Sequence, residues 1–275
     1  MIDSLVRDAC ESIRRRVKKF QPRVGLILGS GLGTLADLIQ HAATVPYDSI
    51  PGFPVSHVSG HAGNLVLGFL GTTPVVAMQG RSHLYEGWSA IQATLPLRCM
   101  HSLGIESVII SNASGGINPR FESGQVVLID NHIDMMNRSG IEASEFNGGV
   151  MQFGLPGRKG NPYDADLMRM AEERAIRLGF SLAQGTYLAT LGPNYETRAE
   201  YRFFAKLGAD MVGMSTVPEV SLACHLGLRV LAFSIITNVA KPDAPNKTDH
   251  AEVLDWSRKA QWQLIPLIQT IVKDL

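Results

Sequence analysis

The sequence predicts an α/β protein in which a mixed β-sheet lies between α-helices, and three observations carry that prediction. Short apolar runs ending in glycine or small polar residues alternate with longer stretches of helical periodicity. Two of the short runs are close enough to pair as an antiparallel hairpin, so the sheet is not wholly parallel. Of the 275 residues, 45% are hydrophobic and 18% charged, which is enough apolar material for one large core, and no shift in composition marks a linker. A single domain over residues 1–275 is expected.

The elements follow in order. Leu5, Val6, Ala9 and Ile13 recur at helical spacing, and the basic run over 14–19 reads as the solvated face of that surface helix. Residues 24–28 read as a buried strand and 32–40 as a helix. The runs 65–70 and 74–78 form the hairpin, turned at Gly71-Thr72-Thr73. A helix over 89–103, stopped at Gly104, precedes strands at 108–111 and 126–130. The helix over 164–178 opens on Asp164 and stops at Gly179. The next, over 197–207, opens on a Thr-x-x-Glu capping box, Thr197 with Glu200, and stops at Gly208. Residues 228–236 read as another buried strand, and 251–272 as a closing amphipathic helix. The stretches 137–163 and 241–248, rich in Gly, Asn and Pro, read as surface loops, the first long enough to suggest function.

Composition excludes several classes. The 25 Lys and Arg balance the 25 Asp and Glu, so no global field draws the chain to nucleic acid or an anionic membrane. The three cysteines, Cys10, Cys99 and Cys224, are far apart, against a disulfide scaffold or zinc ribbon. The N-terminus shows no signal-peptide pattern, and the longest apolar run, near 230–236, falls far short of the roughly 20 residues of a membrane helix. A cytoplasmic protein without a metal is expected.

Several strand ends carry chemistry. Gly29-Ser30-Gly31-Leu32-Gly33 follows a strand and presents free backbone N–H groups, so it can serve as an anion site or as a plain tight turn. It is neither the dinucleotide fingerprint, since Thr34 stands where the third glycine belongs, nor a P-loop. His57 and His61 lack the glutamate of a zinc helix, Val58 standing there. In Gly80-Arg81-Ser82-His83-Leu84-Tyr85-Glu86-Gly87, Arg81 can fork two hydrogen bonds onto a phosphate and His83 can add a third; a solvated turn is the alternative. Ser111-Asn112-Ala113-Ser114-Gly115-Gly116 ends a strand in small polar residues, suited to a ligand at the carboxyl edge of the sheet. Gly192-Pro193-Asn194-Tyr195-Glu196 and Thr237-Asn238 close the set.

Together with Gly60-His61-Ala62-Gly63 and Gly213-Met214-Ser215-Thr216-Val217-Pro218-Glu219, these segments fall in the order and approximate spacing of the trimeric purine nucleoside phosphorylases, which the chain resembles over about residues 20 to 260. The resemblance implies that family's fold, with a partly closed sheet. It implies phosphorolysis of 6-oxopurine ribo- and deoxyribonucleosides, such as inosine and guanosine, to the free base and (deoxy)ribose 1-phosphate in purine salvage. Inorganic phosphate is then a co-substrate, no cofactor is needed, and the chain forms a homotrimer. By the same resemblance, phosphate is held by Ser30, His61, Arg81, His83, the backbone of Ala113 and Ser215. The nucleoside meets Tyr85, Asn112, Tyr195, Glu196, Val212, Met214, Asn238 and His250, with Tyr195 where many members have phenylalanine. Glu196, Asn238 and His83 are the expected catalytic residues. The segment 154–162 has no phenylalanine of the kind members contribute to a neighbour's ribose pocket.

The purine edge supports a 6-oxopurine substrate on chemical grounds. Hypoxanthine and guanine carry a hydrogen on N1 that Glu196 can accept, while Asn238 can meet O6 or N7 as charge moves onto the departing base. Adenine reverses the pattern and leaves a buried carboxylate unpaired. Relatives that cleave 5′-methylthioadenosine have aspartate in place of Asn238. A phosphorylase shifted to xanthosine or 5′-methylthioadenosine, or a noncatalytic nucleoside-binding protein, is the alternative.

Overall fold

A computed structural model describes residues 2–17, 19–29, 31–58, 60–138, 140–141, 161–240 and 250–275, with the backbone alone at 250 and 251. The first element is helix α1 (Ile2–Arg16), which buries Ala9, Cys10 and Ile13 and leaves its basic residues outside. Strand β1 (Val24–Leu28) is buried along its whole length. A 3-10 segment (Gly33–Leu38) leads into β2 (Gln40–Pro46), then the hairpin β3 (Asn64–Leu70) and β4 (Thr73–Gln79). Helix α2 (Ala90–Leu103) precedes β5 (Ser107–Gly116), β6 (Val126–Asp134), α3 (Ala165–Arg177) and β7 (Ala183–Ala189). The chain closes with α4 (Arg198–Lys206), β8 (Met211–Gly213), α5 (Val217–His225), β9 (Arg229–Val239) and α6 (His250–Val272).

The nine strands of the described residues join one mixed sheet in the order β2-β3-β4-β1-β5-β8-β7-β6-β9. A further parallel pairing, of β9 with β5, rolls the last five strands into a closed barrel and leaves β1 to β4 as an open flange. Closure is possible because β5 is long. Ser107 to Gly116 pairs with β9 on one side, with a register shift between Ser114 and Gly115, and Gly115 and Gly116 also pair with β8 on the other. A small-residue end admits that second, antiparallel partner without a steric clash.

The central strands read as unbroken apolar runs because both of their faces are covered. In β9, Val230 and Ala232 enter the core under α1, α2 and α5, whereas Leu231, Phe233 and Ile235 enter the core under α3 and α6. In β5, Val108 and Ile110 face the first core and Ile109 the second. Each fully buried aliphatic side chain contributes roughly 1.5–3 kcal/mol.

Most predicted boundaries agree with the structure to within a few residues, including the caps: Asp164 accepts from the Asp166 and Leu167 amides, and the Thr197–Glu200 box is closed in both directions. The helix expected over 32–40 is a correction. It is a single 3-10 segment that gives way to β2 at Gln40. An edge strand with most residues exposed has no alternating pattern to show, and its pairing to β3 determines it. The strand expected at 108–111 continues to Gly116, the one at 126–130 to Asp134 and the one at 228–236 to Val239. The loop reading for 137–163 falls mostly, and that for 241–248 wholly, outside the described residues.

Candidate active site

The carboxyl ends of β1, β4, β5, β8 and β9, with the loop before α4, converge on a cavity of about 360 Å³. His61, Arg81, His83, Ala113 and Ser215 line it, as do Tyr85, Asn112, Tyr195, Glu196, Val212, Met214 and Asn238. Ser30 lies outside the described residues, as does the side chain of His250, although one turn further on Val253 lines the cavity. The segment 154–162, noted for its missing phenylalanine, lies almost wholly outside them too. Tyr201, Ser114 and Thr237 also line the cavity without having been assigned a role from the sequence.

At one end stands Arg81, only 1% exposed. Its Nη1 donates to Glu219 Oε2 at 2.9 Å and to Thr216 Oγ1 at 3.4 Å, and its Nη2 donates to the Ser111 carbonyl. Both tips of the guanidinium therefore hold protein groups, which the sequence motif, read as a fork able to meet a phosphate, did not show. The described partners take three of its five N–H donors. Gly29 permits this approach, since a Cβ there would stand 2.6 Å from the Ser111 carbonyl oxygen and 3.1 Å from Arg81 Nη2.

Beside Arg81 lie two imidazoles, with ring centroids 5.2 Å apart. His61 Nδ1 sits 2.6 Å from the Arg81 carbonyl oxygen and 2.7 Å from its N–H, so either tautomer finds a backbone partner. Burial, with the charges of His83 and Arg81 adding to it, pushes His61 down to about 3, and the ring is neutral at physiological pH. Gly80, at φ 98°, carries the chain past it, because a Cβ there would stand 2.7 Å from His61 Cα. His83 stacks on Tyr85 with centroids 4.9 Å apart and lies 3.2 Å through Nδ1 from Glu86 Oε1. Burial opposes the Glu86 charge, but hydrogen bonds from His83, the His57 and His83 amides and Ser56 outweigh it and hold the carboxyl at about 2.

A chain of buried polar groups ties this end to the barrel. Asn112 Nδ2 donates to Thr216 Oγ1 at 2.8 Å, and Ser234 Oγ donates to Asn112 Oδ1 at 2.6 Å. Ser114 Oγ is 2.6 Å from Ser234 Oγ. The Asn112 side chain is thus engaged within the protein at both ends of its amide. Thr216 holds φ 74° and ψ −51° at the start of α5, a conformation costing a β-branched residue about 1–3 kcal/mol. It aims Oγ1 at Asn112, Arg81 and the Ser215 hydroxyl together.

At the other end Glu196 precedes the capping box of α4, which sets its position. Thr190 Oγ1 donates to it at 3.4 Å, and the Tyr201 hydroxyl hydrogen bonds to it as well. Burial raises the Glu196 pKa above the ordinary 4.5, against the lowering effect of those bonds and of its own backbone N–H. Asn238, at the end of β9, receives a hydrogen bond from Thr237 Oγ1 on Oδ1 at 3.3 Å. Gly192, at φ 69°, lets Met214 pack close, since a side chain there would run into the Met214 sulfur.

Four similarities accompany this geometry. The family described as the phosphorylase superfamily matches residues 23–273. Purine nucleoside phosphorylase 1 of Bacillus subtilis (strain 168) is 44% identical over 254 residues, covering 91% of this chain and 92% of its own; purine nucleoside phosphorylase of Mus musculus is 42% identical over 264 residues, covering 94% and 90%. The crystal structure of a schistosoma purine nucleoside phosphorylase in complex with hypoxanthine aligns with a TM-score of 0.86 at 36% identity, covering 99% of this chain and 97% of that one.

Proposed function

Because the chain belongs to the phosphorylase superfamily, among its purine nucleoside phosphorylases, we propose that it cleaves 6-oxopurine ribo- and deoxyribonucleosides with inorganic phosphate. The products are the free base and (deoxy)ribose 1-phosphate. One observation carries the reading: a single cavity has anion-binding donors at one end and a carboxylate–amide pair at the other, joined by the end of β5. Asn112 belongs to the first end and Gly115 to the second, and three residues of strand span about 10 Å, suited to the length of a nucleoside.

In this reading the free N–H groups of Arg81, with His61, His83, Ser215, the Ala113 amide and Ser30, hold the phosphate dianion. Tyr85 and Met214 flank the sugar, with His250 near its 5′-hydroxyl and Tyr195 against sugar and base; Val212 meets the nucleoside, and Asn112 acts by orienting Thr216. Glu196 accepts from N1–H and Asn238 donates to O6 or N7. As the glycosidic bond loosens towards an oxocarbenium-like sugar, negative charge grows on the purine where the Asn238 donor waits, and phosphate meets C1′ from the opposite face. No residue need become covalently attached, and the donor set calls for no cofactor. The proposed assembly is a cytoplasmic homotrimer, which the mass of the native particle tests. No helix among the described residues is long and apolar enough to cross a membrane.

The deciding assay follows hypoxanthine released from inosine with and without phosphate. Release only with phosphate is expected; equal release without it would indicate a hydrolase, and none from any nucleoside a binding protein.

A further inference from the structure

Tyr201 lines the cavity, and no motif read from the sequence explains its place there. It sits on the first turn of α4, with its ring against the small core formed by Ile117, Leu188, Phe204 and Val212. Its hydroxyl faces the cavity between the two groups at the purine end, hydrogen bonding to both Glu196 and Asn238. The two groups meet beside Gly115, where a Cβ would be at ordinary contact distance from both, 3.6 Å from the Tyr201 hydroxyl and 3.6 Å from Asn238 Oδ1.

The directions of those bonds follow from proton counting. An ionised carboxylate only accepts, so Tyr201 gives its single proton to Glu196. The hydroxyl oxygen can then only accept from Asn238, which must turn Nδ2 towards it. Thr237 Oγ1, whose one proton is shared between the Ser114 carbonyl at 3.2 Å and Asn238 Oδ1 at 3.3 Å, meets the other end of the same amide. The carboxylate therefore dictates the orientation of an amide it does not touch. One Nδ2 hydrogen is used on Tyr201 and the second remains for the base.

Resting on the 6-oxopurine reading above, we propose that Tyr201 is a specificity-determining residue that transmits the polarity of Glu196 to Asn238 and locks the purine edge as acceptor beside donor. That pattern matches N1–H beside O6 and opposes adenine, whose N1 accepts and whose exocyclic amine donates. Without the hydroxyl, the Asn238 amide can turn over and present Oδ1 to an amine. Tyr201 acts through its neighbours and need not touch the substrate.

The test compares the full-length protein with Tyr201→Phe, which keeps the ring and its packing. With saturating phosphate, kcat/KM is measured for inosine and adenosine across pH. The inosine-to-adenosine ratio should fall about tenfold, the scale of one hydrogen bond at a reading edge. The acid limb for inosine should also move to higher pH, because the lost bond favoured the charged form of Glu196. Thr237→Val loosens the amide from its Oδ1 side, leaves α4 intact and should lower the ratio in the same sense; it serves if the phenylalanine variant does not fold. Equal losses on both nucleosides with an unmoved acid limb would make Tyr201 a packing residue and overturn the proposal. A parent enzyme without preference for inosine would instead overturn the 6-oxopurine reading, and the proposal with it.

Discussion

Removing the charge of Glu219 tests how the anion end of the cavity is built. Glu219→Gln keeps the shape and one acceptor oxygen, so what disappears is the counter-charge of Arg81. The pair is 2.9 Å apart, with Arg81 1% and Glu219 6% exposed. At an effective dielectric of about 20, the attraction is about 6 kcal/mol, from 332/(20 × 2.9). Part of this is offset because the carboxylate no longer has to be desolvated, and a neutral hydrogen bond remains. A net loss of about 3 kcal/mol is expected, at the lower end of the range for breaking a buried pair. In a chain of this size that corresponds to a fall in Tm of roughly 6–12 °C. Thermal unfolding without phosphate measures it. Phosphate should then restore more stability to the variant than to the parent, since a dianion can take the place of the missing carboxylate, and saturation at about 100 times Kd returns about 2.7 kcal/mol. A variant within about 3 °C of the parent, with the same gain from phosphate, would refute the view that Arg81 depends on Glu219.

Other outcomes follow from the same geometry. Asn238→Asp replaces a donor with an acceptor at the purine edge and should raise adenosine activity relative to inosine by at least tenfold; an unchanged ratio of kcat/KM would show that Asn238 does not read the base. Because burial raises the Glu196 pKa, the carboxylate that accepts N1–H is lost sooner as pH falls, so kcat/KM for inosine should have an acid limb above 4.5 that is absent in Glu196→Gln. For Glu86, the folded pKa lies below the unfolded one, so its contribution to stability is fully present above about 4.5 and is lost as pH falls towards about 2. Urea unfolding of Glu86→Gln should therefore show a deficit at pH 7 that shrinks at pH 3, and a deficit equal at both would remove the charge from the explanation.

What could be read in the sequence had a local cause. The strands β1, β5 and β9 are apolar on both faces because helices cover both sides, which leaves unbroken runs in the chain. The helices α2, α3 and α4 start at side chains that bond the next residues' amides, so Ser89, Asp164 and Thr197 mark them within a few positions. The glycines at strand ends marked the cavity, since close backbone approach excludes a Cβ wherever it occurs. Elements governed by distant pairing were not legible. Strand β2 exists because β3 lies beside it, β8 is three residues long, and α5 follows a motif that reads as a ligand segment.

By itself the sequence determined the layered α/β class, the covered strands, the helix starts and most of the residues that meet around one cavity. Only the tertiary structure decided how those residues divide their hydrogen bonds. Arg81 meets Glu219 across 138 residues and Asn112 meets Ser234 across 122, so the inward turn of the guanidinium and the engaged amide have no local signature. Tyr201 is near Glu196 in sequence, yet its second partner, Asn238, arrives on β9 from the far side of the barrel. A hydrogen bond has a direction as well as a place, and that direction is settled only when every donor and acceptor around the cavity has been brought together.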